Sequence, residues 1–188
     1  MRVYATAALC LAAASMAHCA VRDTAATKDS TVVYNTALCG DTLCALIGHG
    51  MEPTLTASLQ NGEAVRILLG FTLPADIKKA SAITKCQLQM QRPALGAEGE
   101  YTLSASQVSG DWDEASVNGM TRLSFGSALG SVDAVGAERP GPIDVTDACM
   151  QAVGKDSGRF SLVVDTSGPA VTFPSANTGA AATLRVFT

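Results

Sequence analysis

The 188-residue chain is expected to fold as an all-β, jelly-roll-like antiparallel β-sandwich with one short helix. Three observations predict it. Short runs rich in Val, Ile, Leu, Phe and Thr recur along the chain, separated by Gly, Pro and Asn-Gly turn signals. The run from Thr84 to Gln91 alternates apolar and polar residues, the period of a strand with one wet face. Only one stretch, Asp144 to Gly154, carries a helical period. The length suits one domain with a sizeable core, placed at residues 31–188.

Taken in order, the chain opens with Arg2 and then an apolar Ala- and Leu-rich run to Ala17, followed by small residues that offer a cut after Ala17 or Cys19. Residues 1–19 therefore read as a secretory signal peptide, too short and without the flank to be a membrane span. An extracellular protein with no membrane insertion after cleavage is expected. Removing that segment takes away Arg2 and no acid, so 12 Lys+Arg against 17 Asp+Glu give a formal charge of −5. Such a surface has no electrostatic footprint for nucleic acid or an anionic membrane.

Residues 20–30 are small and polar and are expected to form a flexible lead-in. Thr31 to Tyr34 is a first short strand, and residues 39–59 suggest irregular structure with one or two more. The Asn61-Gly62 turn signal leads into Ala64 to Leu73, apolar at nearly every position. This is the central strand, with Val65, Ile67, Leu69 and Phe71 assigned to the core. Pro74 ends it, and residues 75–82 make a connection with room for one helical turn. In the alternating strand Cys86, Leu88 and Met90 point inward, while Lys85, Gln87, Gln89 and Gln91 point out.

Tyr101, Leu103 and Ala105 begin the next strand, which leads to Ser109–Val117. That stretch holds the one tryptophan, Trp112, set among Asp111, Asp113 and Glu114. Its ring is expected in the core with the charges at the rim, and Ser116-Val117 are expected to resume a strand. Residues 126–142, rich in Gly, Ala and Ser, read as a long surface loop. The helix that follows has Asp144 or Thr146 as its cap, Asp147 in its first turn and Gly154 as its stop. Ala148, Cys149, Ala152 and Val153 share its apolar face. Strands at 159–165, 170–173 and 182–187 close the chain.

Four cysteines remain after signal removal, an even number that in a secreted chain predicts two disulfides, with three connectivities open. Cys39 and Cys44 flank a short turn that suits a local bond, which leaves Cys86 with Cys149. No enzymatic constellation emerges. His49 is the one histidine of the mature chain, and no Gly-x-Ser-x-Gly elbow accompanies it. No cofactor is expected; Asp111, Asp113 and Glu114 offer the hard oxygens that Ca²⁺ would take if a metal were bound. A glycan would meet polar side chains on an open sheet face, for which Lys85, Gln87 and Gln89, with Arg66 beside them, are the candidates.

Three blocks stand in a recognisable order: Val65 to Pro74 with Ile83 to Met90, then Trp112 to Val117, then Ile143 to Asp147 with Phe160 to Val164. Together with the closing Val171 to Ser175 and Leu184 to Val186, they resemble the DNRLRE domain, also classed as carbohydrate-binding module family 96. Trp112, Glu114 and Asp144 match its fold markers. The resemblance implies a secreted, non-catalytic β-sandwich that binds an extracellular or cell-wall polysaccharide. The alternative is a cell-surface structural or interaction protein that kept the fold without a sugar site.

Overall fold

The computed structural model describes residues 20–34, 44–60, 63–155 and 158–188. Among these residues eleven strands, numbered in chain order, form two antiparallel sheets. The smaller contains β1 (Val21–Ala25), β5 (Lys85–Gln89), β8 (Ile143–Asp144) and β11 (Thr183–Phe187), in the order β1-β11-β5-β8. The larger contains β2 (Lys28–Val33), β3 (Thr54–Gln60), β4 (Glu63–Thr72), β6 (Glu100–Ser109), β7 (Ser124–Val135), β9 (Arg159–Thr166) and β10 (Val171–Pro174). Its order is β10-β3-β4-β9-β6-β7, with β2 also paired to β4. One helix, α1 (Thr146–Ala152), packs against β5 and β9. The expected all-β sandwich with one short helix is what the chain forms.

The core lies between the sheets. Ile67, Leu69 and Phe71 of β4 meet Cys86 and Leu88 of β5, Leu162 of β9 and Leu184 and Val186 of β11 there, all buried. The alternation in β5 and β11 sets one face of each strand inward, as the sequence required. β4 is different because both its faces are covered. Its other face carries Leu68 into a second cluster with Val32, Val108, Trp112, Val117 and Val163, beneath the turn that follows β6. A strand buried on both sides reads as an unbroken apolar run, which is the pattern at 64–73.

The helix forms where its period placed it, but its N-cap position is Val145, with no side-chain cap bond, and not Asp144 or Thr146. Ala148, Cys149 and Ala152 are buried, Val153 packs partly against the same core, and Gly154 takes a left-handed φ of 77° just beyond the last turn. Asp144 accepts hydrogen bonds from the Thr146 N–H at 2.9 Å and the Thr146 hydroxyl at 2.6 Å. These bonds, first that of the hydroxyl and then that of the amide, hold its pKa below the ordinary aspartate value. A Cys86–Cys149 disulfide ties the helix to β5. The Cys39–Cys44 bond expected from sequence falls outside the described residues.

Three expectations are corrected. Residues 20–30 are not a loose lead-in: they hold β1, paired along its length to β11, and the start of β2, paired to β4. β1 is mostly exposed and held by backbone pairing, and β2 buries the polar Asp29 and Ser30, so no apolar alternation advertises either strand. Residues 126–142 are not a long loop, because most of them belong to β7, the outer strand beside β6. At one of its glycines the small residue reflects close approach. A Cβ at Gly130 would lie 2.6 Å from the Asp144 carbonyl oxygen. Ser116 and Val117 do not resume a strand, and both amides instead close turns on the Asp113 carbonyl.

Candidate functional site

The outer face of the smaller sheet carries the polar half of each alternating strand. Register places Asp23, Arg185, Gln87 and Asp144 in one row across all four strands. Flanking rows hold Phe187 with Lys85 and Thr183 with Gln89. Lys85 is exposed and Gln87, Gln89 and Arg185 are half-buried, so the face is wet. Arg185 forks onto Asp23 through two hydrogen bonds of 2.8 Å. The bond to Arg185 holds Asp23 below its ordinary pKa against a smaller opposing effect of burial.

The structure therefore brings together three of the four sheet-face residues expected from sequence. Arg66 is not among them. It lies on β4 of the other sheet, with its guanidinium over the rings of Tyr34 and Phe125 and 3.0 Å from Asp165. Strands β4 and β5 follow one another in sequence yet separate into opposite layers, so their outer faces point apart. Arg185 stands beside Gln87 on the face where Arg66 was expected. The signal for it was present in Thr183-Leu-Arg-Val-Phe187, which alternates with the same period as β5.

The Trp112 turn builds a second polar region on the far side of the molecule. Trp112 is 5% exposed and its indole N–H donates to the Ser161 hydroxyl at 2.9 Å. Lys28 sits opposite Gly70, and its aliphatic stem occupies the space where a Cβ on Gly70 would lie, 2.6 Å from Lys28 Cγ. The stem crosses β4 there, so that its ammonium donates to the Trp112 carbonyl and stands 4.0 Å from the centre of the indole ring. The ring is thus a core anchor of the outer cluster, as expected, with charge at its rim.

The acids beside it turn to separate tasks. Asp111 accepts from the Trp112 N–H, Asp113 from the Ala115 N–H and the Ser116 hydroxyl, and Glu114 from the Asp29 N–H. Their carboxylates fasten the turn and tie it to β2, and among the described residues no group of three or more His, Cys, Asp or Glu is placed to hold a metal ion. His49, the one histidine outside the predicted signal segment, lies 2.6 Å from Glu52.

Asp29 is the residue that sequence reasoning passed over. It is fully buried, with one carboxylate oxygen accepting from the Ala176 N–H at 2.7 Å and the other without a partner. Burial, with a smaller contribution from the nearby Glu114 charge, raises its pKa to about 6, and the Ala176 bond opposes this. The fold thus prefers the protonated acid. Stability from this group is fully present below about pH 4 and is lost as pH rises through about 6, at most about 3 kcal/mol. Asp23 and Asp144, with lowered values, act in the opposite sense at lower pH. Asp29→Asn should flatten the decline of melting temperature between about pH 4 and about pH 6. Equal slopes in the two proteins would show that Asp29 does not set it.

Between the Trp112 turn and the end of α1 lies an open groove of about 600 Å³. Lys28, Gln107, Asp111, Gln151, Lys155, Arg159 and Ser161 give it a polar lining.

No protein-family model matches the chain. Among the described residues no helix is long and apolar enough to cross a membrane. Over 143 residues the chain is 30% identical to an uncharacterized secreted protein of Arthroderma benhamiae, an alignment that takes in 74% of this chain and 71% of the relative. On that likeness the chain belongs to the family of this secreted protein, and it is itself a secreted β-sandwich.

Proposed function

We propose that the protein is a non-catalytic polysaccharide-binding module whose ligand lies along the outer face of the smaller sheet. The observation that supports this reading is the row Asp23–Arg185–Gln87–Asp144, flanked by Lys85 and Gln89. Sugar hydroxyls both donate and accept, so a surface of alternating amides, carboxylates and cations can pair with successive residues of an extended chain. Phe187, half-buried in a flanking row, offers an apolar edge for a pyranose ring. The mature protein should be retained on at least one insoluble cell-wall polymer in a pull-down, and Arg185→Ala with Gln87→Ala should abolish that retention with the fold intact by circular dichroism. Lack of retention on every polymer of a broad panel would sink the reading.

A second reading, a surface protein that associates with its own kind, draws on one observation. Leu46, Ile47, Met51 and Met120 are each about half exposed or more, on two loops joined by the Gly119 N–H donating to the Ala45 carbonyl. Oligomers in size-exclusion chromatography, in place of glycan retention, would favour it.

A further inference from the structure

The bare oxygen of Asp29 asks for a partner. The side chain is fully buried, Oδ2 takes the Ala176 N–H, and Oδ1 has no hydrogen-bond partner. Buried polar atoms are nearly always paired, and an exception calls for a water, an ion or a functional reason. A carboxylate sharpens the demand, because a charge is the costliest group to leave uncompensated inside a protein.

Three segments besides β2 converge on this residue. Glu114, from the Trp112 turn, accepts the Asp29 N–H at 2.9 Å with Oε1, and its charge acts on Asp29. Ala176 belongs to the segment after β10, where Ser175 and Asn177 donate to the carbonyls of Glu52 and Gly50 at 2.7 and 2.9 Å. Gly50 closes the circle, since a Cβ there would overlap the Glu114 carbonyl oxygen. The meeting point is therefore rich in oxygen, with two carboxylates among backbone carbonyls. Among the described residues no ion pair joins Asp29 or Glu114 to a basic side chain. Lys28 senses the Glu114 charge, but its ammonium is bonded to the Trp112 carbonyl.

We infer that this meeting point is a calcium site, with Asp29 Oδ1 and the Glu114 carboxylate as its two charged ligands. Carbonyl oxygens of the converging segments and water are available for the remainder of the shell. Two carboxylates balance one divalent cation, and oxygen donors select a hard ion over Zn²⁺. His49, the neighbour of Gly50, forms no three-member metal-binding group with them. Mg²⁺ keeps its waters and wants a regular octahedron, whereas Asp29 Oδ1 is enclosed and admits only an ion that sheds water there. Bound calcium would favour the ionised form of Asp29, so the pH comparison with Asp29→Asn belongs in calcium-free buffer. The site would fasten the Trp112 turn to β2 and to both loops.

The test is calorimetric titration of the chelator-stripped mature protein with CaCl₂ and, at matched ionic strength, with MgCl₂. One calcium per chain with a Kd of about 0.1–1 mM, the range of extracellular modules, is the expected result, with magnesium about tenfold weaker or more. About 10 mM Ca²⁺ should then raise the melting temperature by roughly 3–11 °C, as a ten- to hundredfold excess over Kd requires. Asp29→Asn keeps the shape of the side chain, and Glu114→Gln keeps an acceptor for the Asp29 N–H. Each should weaken calcium by about tenfold or more. Asp111→Asn and Asp113→Asn on the same turn, and Arg185→Ala on the sheet face, should leave it unchanged. No saturation, magnesium binding as tightly as calcium, full affinity in Asp29→Asn or Glu114→Gln, or loss in any of the three controls would each overturn the assignment. Should Asp29→Asn fail to fold, Glu114→Gln decides the ligand set alone. Polymer retention reports on the smaller sheet, so the two proposals fail separately.

Discussion

Replacing both Cys86 and Cys149 with alanine is expected to cost about 4 kcal/mol and to lower the melting temperature by roughly 8–16 °C. The bond spans 63 residues of sequence, and the entropy released to the unfolded chain grows with the length of the loop it closes. Both side chains are fully buried, so the two alanines also leave sulfur-sized gaps in the layer between α1 and β5. Differential scanning calorimetry on the oxidised parent and the double variant measures the effect. A shift of under about 2 °C would mean that strand pairing alone holds the helix in place.

The second large effect is centred on the outer cluster. Trp112→Ala removes the ring that covers Leu68, Val108 and Val163, strips Ser161 of its indole donor and takes the ring, though not the carbonyl, from Lys28. Large aromatic truncations of this kind cost about 3–5 kcal/mol. Trp112→Phe should cost clearly less, since it keeps most of the apolar area and forfeits only the bond to Ser161 and part of the contact with Lys28. Urea denaturation followed by circular dichroism gives both values, because the variants no longer carry the chain's one indole fluorophore. An alanine variant within about 1 kcal/mol of the parent would show that the turn is an ornament on a finished sheet.

These residues also show how far sequence reasoning reached. Cys86 and Cys149 were legible because each sits on an apolar face whose period can be counted, two residues in β5 and nearly four in α1. The same counting placed Ile67, Leu69 and Leu88 in the interior, while Trp112 was placed there as a large ring set among charges. It failed where burial does not depend on apolar side chains. Asp29 and Ser30 lie fully buried in a strand whose composition is that of a loop. β7 hides behind glycine and exposed serine, and at Gly130 the Asp144 backbone leaves no room for a side chain. The candidate face was half legible for a related reason. Periodicity says which side of a strand is wet, yet it does not say which strands lie side by side, so Lys85, Gln87 and Gln89 were found and Arg66 took the place of Arg185.

The order of the smaller sheet bears on how the molecule is made. Strand β11 lies between β1 and β5, and the Arg185–Asp23 pair joins residues 162 positions apart. No local hairpin can start this layer, since two of its inner contacts wait on a segment synthesised long after their partners. Such topologies pay the loop-closure entropy early and collect their contacts late, which places folding in the millisecond-to-second range. Until β11 arrives, β1 and β5 each expose an unsatisfied edge, the feature that invites strand exchange between nascent chains. Oxidation of Cys86 with Cys149 needs only β5 and α1, so the covalent link can form first and hold one edge in register for the strand that will fill the gap.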